Sequence, residues 1–149
     1  MSIKEQLMED MKTAMKEREA GKLRLEVIRM VRASIKNIEI NEKKDLNDDD
    51  VLGVLMKELK MRQDSLEEFK KANRQELVAQ AEQEIAILQK YLPAALGDDE
   101  LKAIVTEMIA QAGATSPKDM GKVMPLVMAK TKGRADGKKI SAMVRELLA

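Results

Sequence analysis

SPKDMGKVMPLVMAKTKGRADGKKISAMVRELL, residues 116–148, reads as two short helices joined by a basic turn. Ser116 has the chemistry of an N-cap, Pro117 suits the first helical position, and Asp119 complements the helix dipole at the third. The first helix then sets Met120, Val123, Met124, Val127 and Met128 along one apolar face. Pro125 interrupts the pattern, because it lacks a backbone donor and presses on the carbonyl of Gly121, so a kink or loosened turn is expected there. Gly133 supplies a left-handed stop, and Asp136 or Gly137 caps a last helix that turns Ile140, Met143, Val144 and Leu147 inward.

From Lys118 to Arg145 eight Lys or Arg stand against two Asp, in a chain whose net charge is only +1. Five of these cations, Lys130, Lys132, Arg134, Lys138 and Lys139, fall within ten residues around the turn. Two Gly let backbone come close to a ligand, and unbonded amides at the start of the last helix add a fixed positive end, a combination suited to phosphate groups. Phosphate contacts of this kind add affinity and salt dependence but convey no base sequence. Lys130 and Lys132 also sit where cations stabilise a helix C-terminus by roughly 0.3–1 kcal/mol. On the residues alone, a binding site and a solvated surface both remain open.

Upstream, the same helical periodicity repeats. Ser2 with Glu5 forms a capping-box pattern, followed by Ile3, Leu7, Met11 and Met15 on a helix to about Glu19 that Gly21 can end. A second helix to about Glu42 carries Ile28, Val31, Ile35 and Ile38 on one face, with Arg29, Arg32 and Lys36 as a basic stripe beside it. Asn47 or Asp48 caps a third helix to Ala72 with the apolar face Val51, Leu55, Leu59, Leu66 and Phe69. Asp48, Asp49 and Asp50 lack the alternating ligands and glycine of a calcium loop and are explained by the helix dipole. Glu58 with Arg62 and Glu67 with Lys71 have the spacing of surface ion pairs. Asn73 with Glu76 reads as the start of a fourth helix bearing Val78, Ala81, Ile85, Leu88 and Leu92, stopped by Pro93.

The junction 92–97 is the expected domain boundary, giving an N-terminal part over 1–96 and a C-terminal part over 97–149. The second part opens with Asp98, Asp99 and Glu100 on a helix that buries Leu101, Ile104, Val105, Met108 and Ala112 and stops at Gly113. With no strand pattern, the expected fold is all-α, a four-helix N-terminal bundle followed by a smaller three-helix one. The smaller core is expected to be marginal by itself.

Composition narrows the chemistry. With no Cys and no His the chain has no disulfide, thiolate nucleophile or imidazole base. One Phe, one Tyr and no Trp leave almost no platform for stacking bases, and twelve Met indicate an adaptable aliphatic core. The first residues alternate charged and apolar groups, forming neither a signal peptide nor a membrane span, so a cytoplasmic protein with no membrane partner is expected. Ser65, Ser116 and Ser141 have no His to activate them. The residues assign no catalytic group, no metal ligand and no cofactor.

Arg62-Gln63-Asp64-Ser65, Glu84-Ile85, Tyr91-Leu92-Pro93, Met120-Gly121-Lys122-Val123-Met124 and Lys132-Gly133-Arg134-Ala135-Asp136-Gly137-Lys138, taken in this order, resemble the YqeY family across essentially the full chain. The C-terminal part is similar to the tail domain of the B subunit of the aspartyl/glutamyl-tRNA amidotransferase. The resemblance implies the two-part helical architecture and a link to tRNA-dependent amidation, a carbon–nitrogen ligase reaction with glutamine as donor. In that enzyme the tail helps to hold tRNA, and the chemistry belongs to other domains. Carried over, the resemblance implies tRNA-backbone contacts at Lys130, Lys132, Arg134, Lys138 and Lys139, with Lys122 on the preceding helix. The expected partner is tRNA or a tRNA–enzyme complex. The competing reading is a protein-interaction module that docks through its Met-rich helices.

Overall fold

The computed structural model describes residues 1–132 and 134–149, and among them every regular element is helical. Helix α1 spans Ile3–Lys16, α2 Lys22–Glu42, α3 Asp48–Lys71, α4 Gln75–Gln89, α5 Asp98–Ala112, α6 Met120–Lys130 and α7 Gly137–Leu148. The all-α expectation holds. The chain divides into two units, Met1–Leu92 and Pro93–Ala149.

In the first unit the helix starts follow local side-chain chemistry. Ser2 Oγ accepts from the Glu5 amide at 3.1 Å while the Glu5 carboxylate accepts from the Ser2 amide at 3.2 Å. Asn47 and Asp50 repeat the exchange at 2.9 and 3.2 Å. Asp48 also reaches across to accept from the Ile3 amide at 3.0 Å, so part of the acidic run ties the start of α1 to the start of α3. Leu7, Val27, Ile28, Val31, Val51, Leu55 and Leu88 form the centre of the core.

Three boundaries differ from expectation. Helix α1 ends at Lys16, and a 3₁₀ turn over Arg18–Gly21 follows it, with Arg18 at φ 54°. Gly21 is not a left-handed stop. A Cβ there would lie 2.3 Å from the Ala14 carbonyl oxygen, so the residue is glycine because two backbones meet. Asn73 is not an N-cap either: at φ 56° it closes α3, with the Arg74 amide donating to the Phe69 carbonyl at 3.0 Å and its own amide to Lys70 at 3.1 Å. This is the Schellman arrangement, and Asn tolerates its left-handed position better than most residues.

In the second unit Leu101, Val105, Met108, Val123, Val127, Ile140 and Val144 make a separate core. Gly113 does take the left-handed stop, at φ 65°. Ser116 makes no side-chain cap, and Pro117–Asp119 forms a 3₁₀ turn before α6. Asp119 makes no side-chain cap on α6 either; its carboxylate reaches back and accepts from the Thr115 amide at 3.0 Å. That hydrogen bond, with Lys122 nearby, holds the Asp119 carboxyl below the ordinary range. Helix α6 runs from Met120 to Lys130 through Pro125, which is exposed. Met15 and Met128, expected in the core, are 50% and 45% exposed because Ala14 and Val127 occupy the inward positions beside them.

Candidate functional site

The basic turn is held by Thr131, which the sequence did not single out, and by Arg134, which it did for a different role. Thr131, 1% exposed, donates its hydroxyl to the Val127 carbonyl at 2.8 Å and fastens the end of α6. Its own carbonyl accepts from the Arg134 amide at 2.8 Å. Arg134 then anchors the turn to the segment before α5: its carbonyl accepts from the Leu96 amide at 2.9 Å, and Nε donates to the Ala94 carbonyl at 3.1 Å. Its Nη2 lies 3.9 Å from Glu100 Oε2. Gly133, the expected left-handed stop, lies outside the described residues.

Asp136 begins α7 and its carboxylate accepts from the Lys138 amide at 3.2 Å. The helix start is therefore not an open anion site, since the chain supplies its own anion. Gly137 has open space where a Cβ would stand, so the local backbone does not require glycine. Lys139 pairs with Asp98. Arg134 and Lys139 are thus brought to one place, the acidic first turn of α5. Lys122 is 3.8 Å from Asp119. It stands about 12 Å along the α6 axis from Lys130. Lys122, Lys130, Lys132 and Lys138 are exposed. Among the described residues, no ion pair engages Lys130 or Lys138. The surface pairs are each worth about 0–1 kcal/mol and can be exchanged for contacts to an external anion.

A second polar centre was misread from the sequence. Glu58 and Arg62, expected as a surface pair, are each only 8% exposed. Arg62 Nη1 donates to Glu58 Oε2 at 2.7 Å, Ser34 donates to Glu58 Oε1 at 3.0 Å, and Arg62 Nε stands 3.7 Å from Glu84 Oε2. Arg62 and Glu84, from separate motifs that carry the family resemblance, meet here. The cluster borders a cavity of about 270 Å³ whose rim includes Met30, Met61 and Phe69. The signal was present: in the apolar face Val51, Leu55, Leu59, Leu66, the gap of seven residues is filled by Arg62 at the helical spacing. Tyr91, a third motif residue, donates to the Asp10 carboxylate, and burial followed by that acceptor pushes its phenol well above the ordinary range.

The family model described as Yqey-like protein matches residues 4–148. The chain belongs to the YqeY-like family. Among curated proteins it is 30% identical over 146 residues to "Altered inheritance of mitochondria protein 41, mitochondrial" of Pyrenophora tritici-repentis (strain Pt-1C-BFP), covering 95% of this chain and 78% of the relative. The protein of the same name from Lachancea thermotolerans (strain ATCC 56472 / CBS 6340 / NRRL Y-8284) is 34% identical over 146 residues, covering 93% and 76%. That from Kluyveromyces lactis (strain ATCC 8585 / CBS 2359 / DSM 70799 / NBRC 1267 / NRRL Y-1140 / WM37) is 36% identical over 115 residues, covering 74% of this chain and 60% of its own length.

These names correct the cytoplasmic placement read from the sequence, because all three relatives are mitochondrial proteins by name. The earlier inference rested on the missing apolar span. Among the described residues no helix is long and apolar enough to cross a membrane. That property does not distinguish one aqueous compartment from another.

Proposed function

We propose that this YqeY-like chain is a non-catalytic accessory module that grips tRNA, or a tRNA–enzyme complex, through the turn between α6 and α7. In this reading the part over 1–96 is a four-helix bundle and the part over 97–149 a three-helix one, and Lys122, Lys130, Lys132, Lys138 and Lys139 contact phosphates. Arg134 holds the turn in shape. One observation carries the reading: the turn is pinned by Arg134 to Ala94 and Leu96 while exposed lysines project from either side of it. The resemblance of this part to the amidotransferase tail supports tRNA as the ligand. It gives the residues here no step in amide transfer.

The test is binding of unfractionated tRNA to the full chain and to K130A/K132A/K138A, a variant that spares Arg134. Loss of three phosphate contacts should weaken binding by about tenfold or more at low salt. Equal affinity would refute the assignment. A second reading is favoured by Met30 and Met61, both 54% exposed beside the Glu58–Arg62 cavity, since adaptable thioethers suit a protein partner. Capture of an amidotransferase or other translation enzyme that survives ribonuclease, without any tRNA shift, would decide for it.

A further inference from the structure

A cavity of about 570 Å³ opens between α1 and α2 in the first unit, remote in sequence from the basic turn. Its volume falls in the range of small-molecule pockets, roughly 300–1,000 Å³. Four cations border it, Lys4 from α1 and Arg29, Arg32 and Lys36 from α2, against the single carboxylate of Glu39. Glu39 is already engaged, since its Oε2 accepts both from Lys4 and, at 2.9 Å, from the Leu46 amide. Arg32 donates to the neutral sulfur of Met11 at 3.0 Å, so its charge is not compensated. Arg29 and Lys36 are exposed and form no ion pair with a carboxylate among the described residues.

Stability accounts for Lys36 in part, since its charge helps to hold the Glu39 carboxyl below the ordinary range, but not for the run as a whole. Arg29, Arg32 and Lys36 follow one another at spacings of three and four on the same helix face, where like charges repel. They span about 10 Å of helix rise, over which their long side chains can close on an anion with more than one charged group. The two guanidinium groups have the fork geometry that suits phosphate oxygens. Between the cations the lining is aliphatic, with buried Leu7 and Ile35 and the half-exposed Met8, and it includes no aromatic ring on which a base could stack.

We propose that the α1–α2 cavity binds an organic diphosphate, with the phosphates on Arg29, Arg32 and Lys36 and an aliphatic carbon part against Met8. The site lies in a different unit from the proposed tRNA contacts and does not depend on them. An aliphatic diphosphate and free pyrophosphate share the anionic chemistry, and the carbon part separates them.

Calorimetric titration of the full chain at low salt, about 50 mM, tests the site with inorganic pyrophosphate and a short alkyl diphosphate as probes. Both should bind at one site, the alkyl diphosphate more tightly. R29Q/K36Q should weaken both by about tenfold, since it removes two charge-assisted contacts, while K130A/K132A/K138A should leave them unchanged. Because both substituted residues are exposed, the unliganded melting temperature should stay within the error of the wild type. Equal binding by R29Q/K36Q and wild type, or displacement by sulfate at matched ionic strength, would overturn the site. Equal affinity for the two probes would remove the aliphatic subsite. If R29Q/K36Q instead loses tRNA affinity while pyrophosphate binding is unaffected, the surface belongs to RNA and the proposal fails.

Discussion

Tyr91 is the only tyrosine in a chain without tryptophan, so its ionisation can be followed by ultraviolet absorbance with no other phenol contributing. Its pKa is raised, first by burial and then by the hydrogen bond to Asp10. The neutral phenol is thus favoured in the folded state. The contribution to stability is fully present below the unfolded value of about 10 and is lost as pH rises toward the higher folded value. The absorbance step should therefore lie above pH 10 while the chain stays folded, and a step at the ordinary phenol value would contradict the buried hydrogen bond. Arg62 makes a second prediction at this scale. Arg62→Met alone strands Glu58 and Glu84 without their cation and should cost about 3–5 kcal/mol in urea unfolding. Adding Glu58→Leu should return a large part of that loss, because replacing both partners of a buried pair removes the uncompensated charge. The Tyr91–Asp10 bond joins residues 81 positions apart and leaves no local signal, and the Glu58–Arg62 pair was hard to read because pair spacing looks the same on buried and exposed faces. Only the register of Arg62 with Leu55 and Leu59 distinguishes them.

Among the elements, those fixed by local chemistry were legible and those fixed by contact were not. The capping exchanges at Ser2 and Asn47 and the left-handed Gly113 involve residues a few positions apart, and sequence spacing contains that information. Asn73 reads equally well as the end of one helix or the start of the next, whereas the role of Gly21 depends on what packs against it. Gly21 sits against the backbone of Ala14, a residue with no exposed surface. Gly21→Ala should therefore force α1 and the 3₁₀ turn apart and destabilise the chain by about 1–3 kcal/mol, read as a lowered melting temperature. An unchanged melting temperature would mean that the close approach is not maintained in solution. Ser116 illustrates the same limit. The start begins with a 3₁₀ turn in which neither Ser116 nor Asp119 caps a helix amide with its side chain, and Asp119 instead accepts from Thr115.

For the whole molecule, a net charge of +1 conceals two separate concentrations of positive charge, one in each unit. The sequence pointed to the cations around the α6–α7 turn and marked the α2 cations only as a basic stripe beside an apolar face. What it did not disclose was the acidic first turn of α5 beside the first group, or the cavity beneath the second. Around the turn, Arg134 is committed to the Ala94 carbonyl, so in this account the exposed lysines supply the phosphate contacts. The most direct measurement is the dependence of tRNA affinity on salt, for the wild type and K130A/K132A/K138A. A grip on the backbone predicts that the slope of log affinity against log salt becomes shallower by about one for each lysine removed. An identical slope in the two proteins would show that these lysines do not touch the RNA.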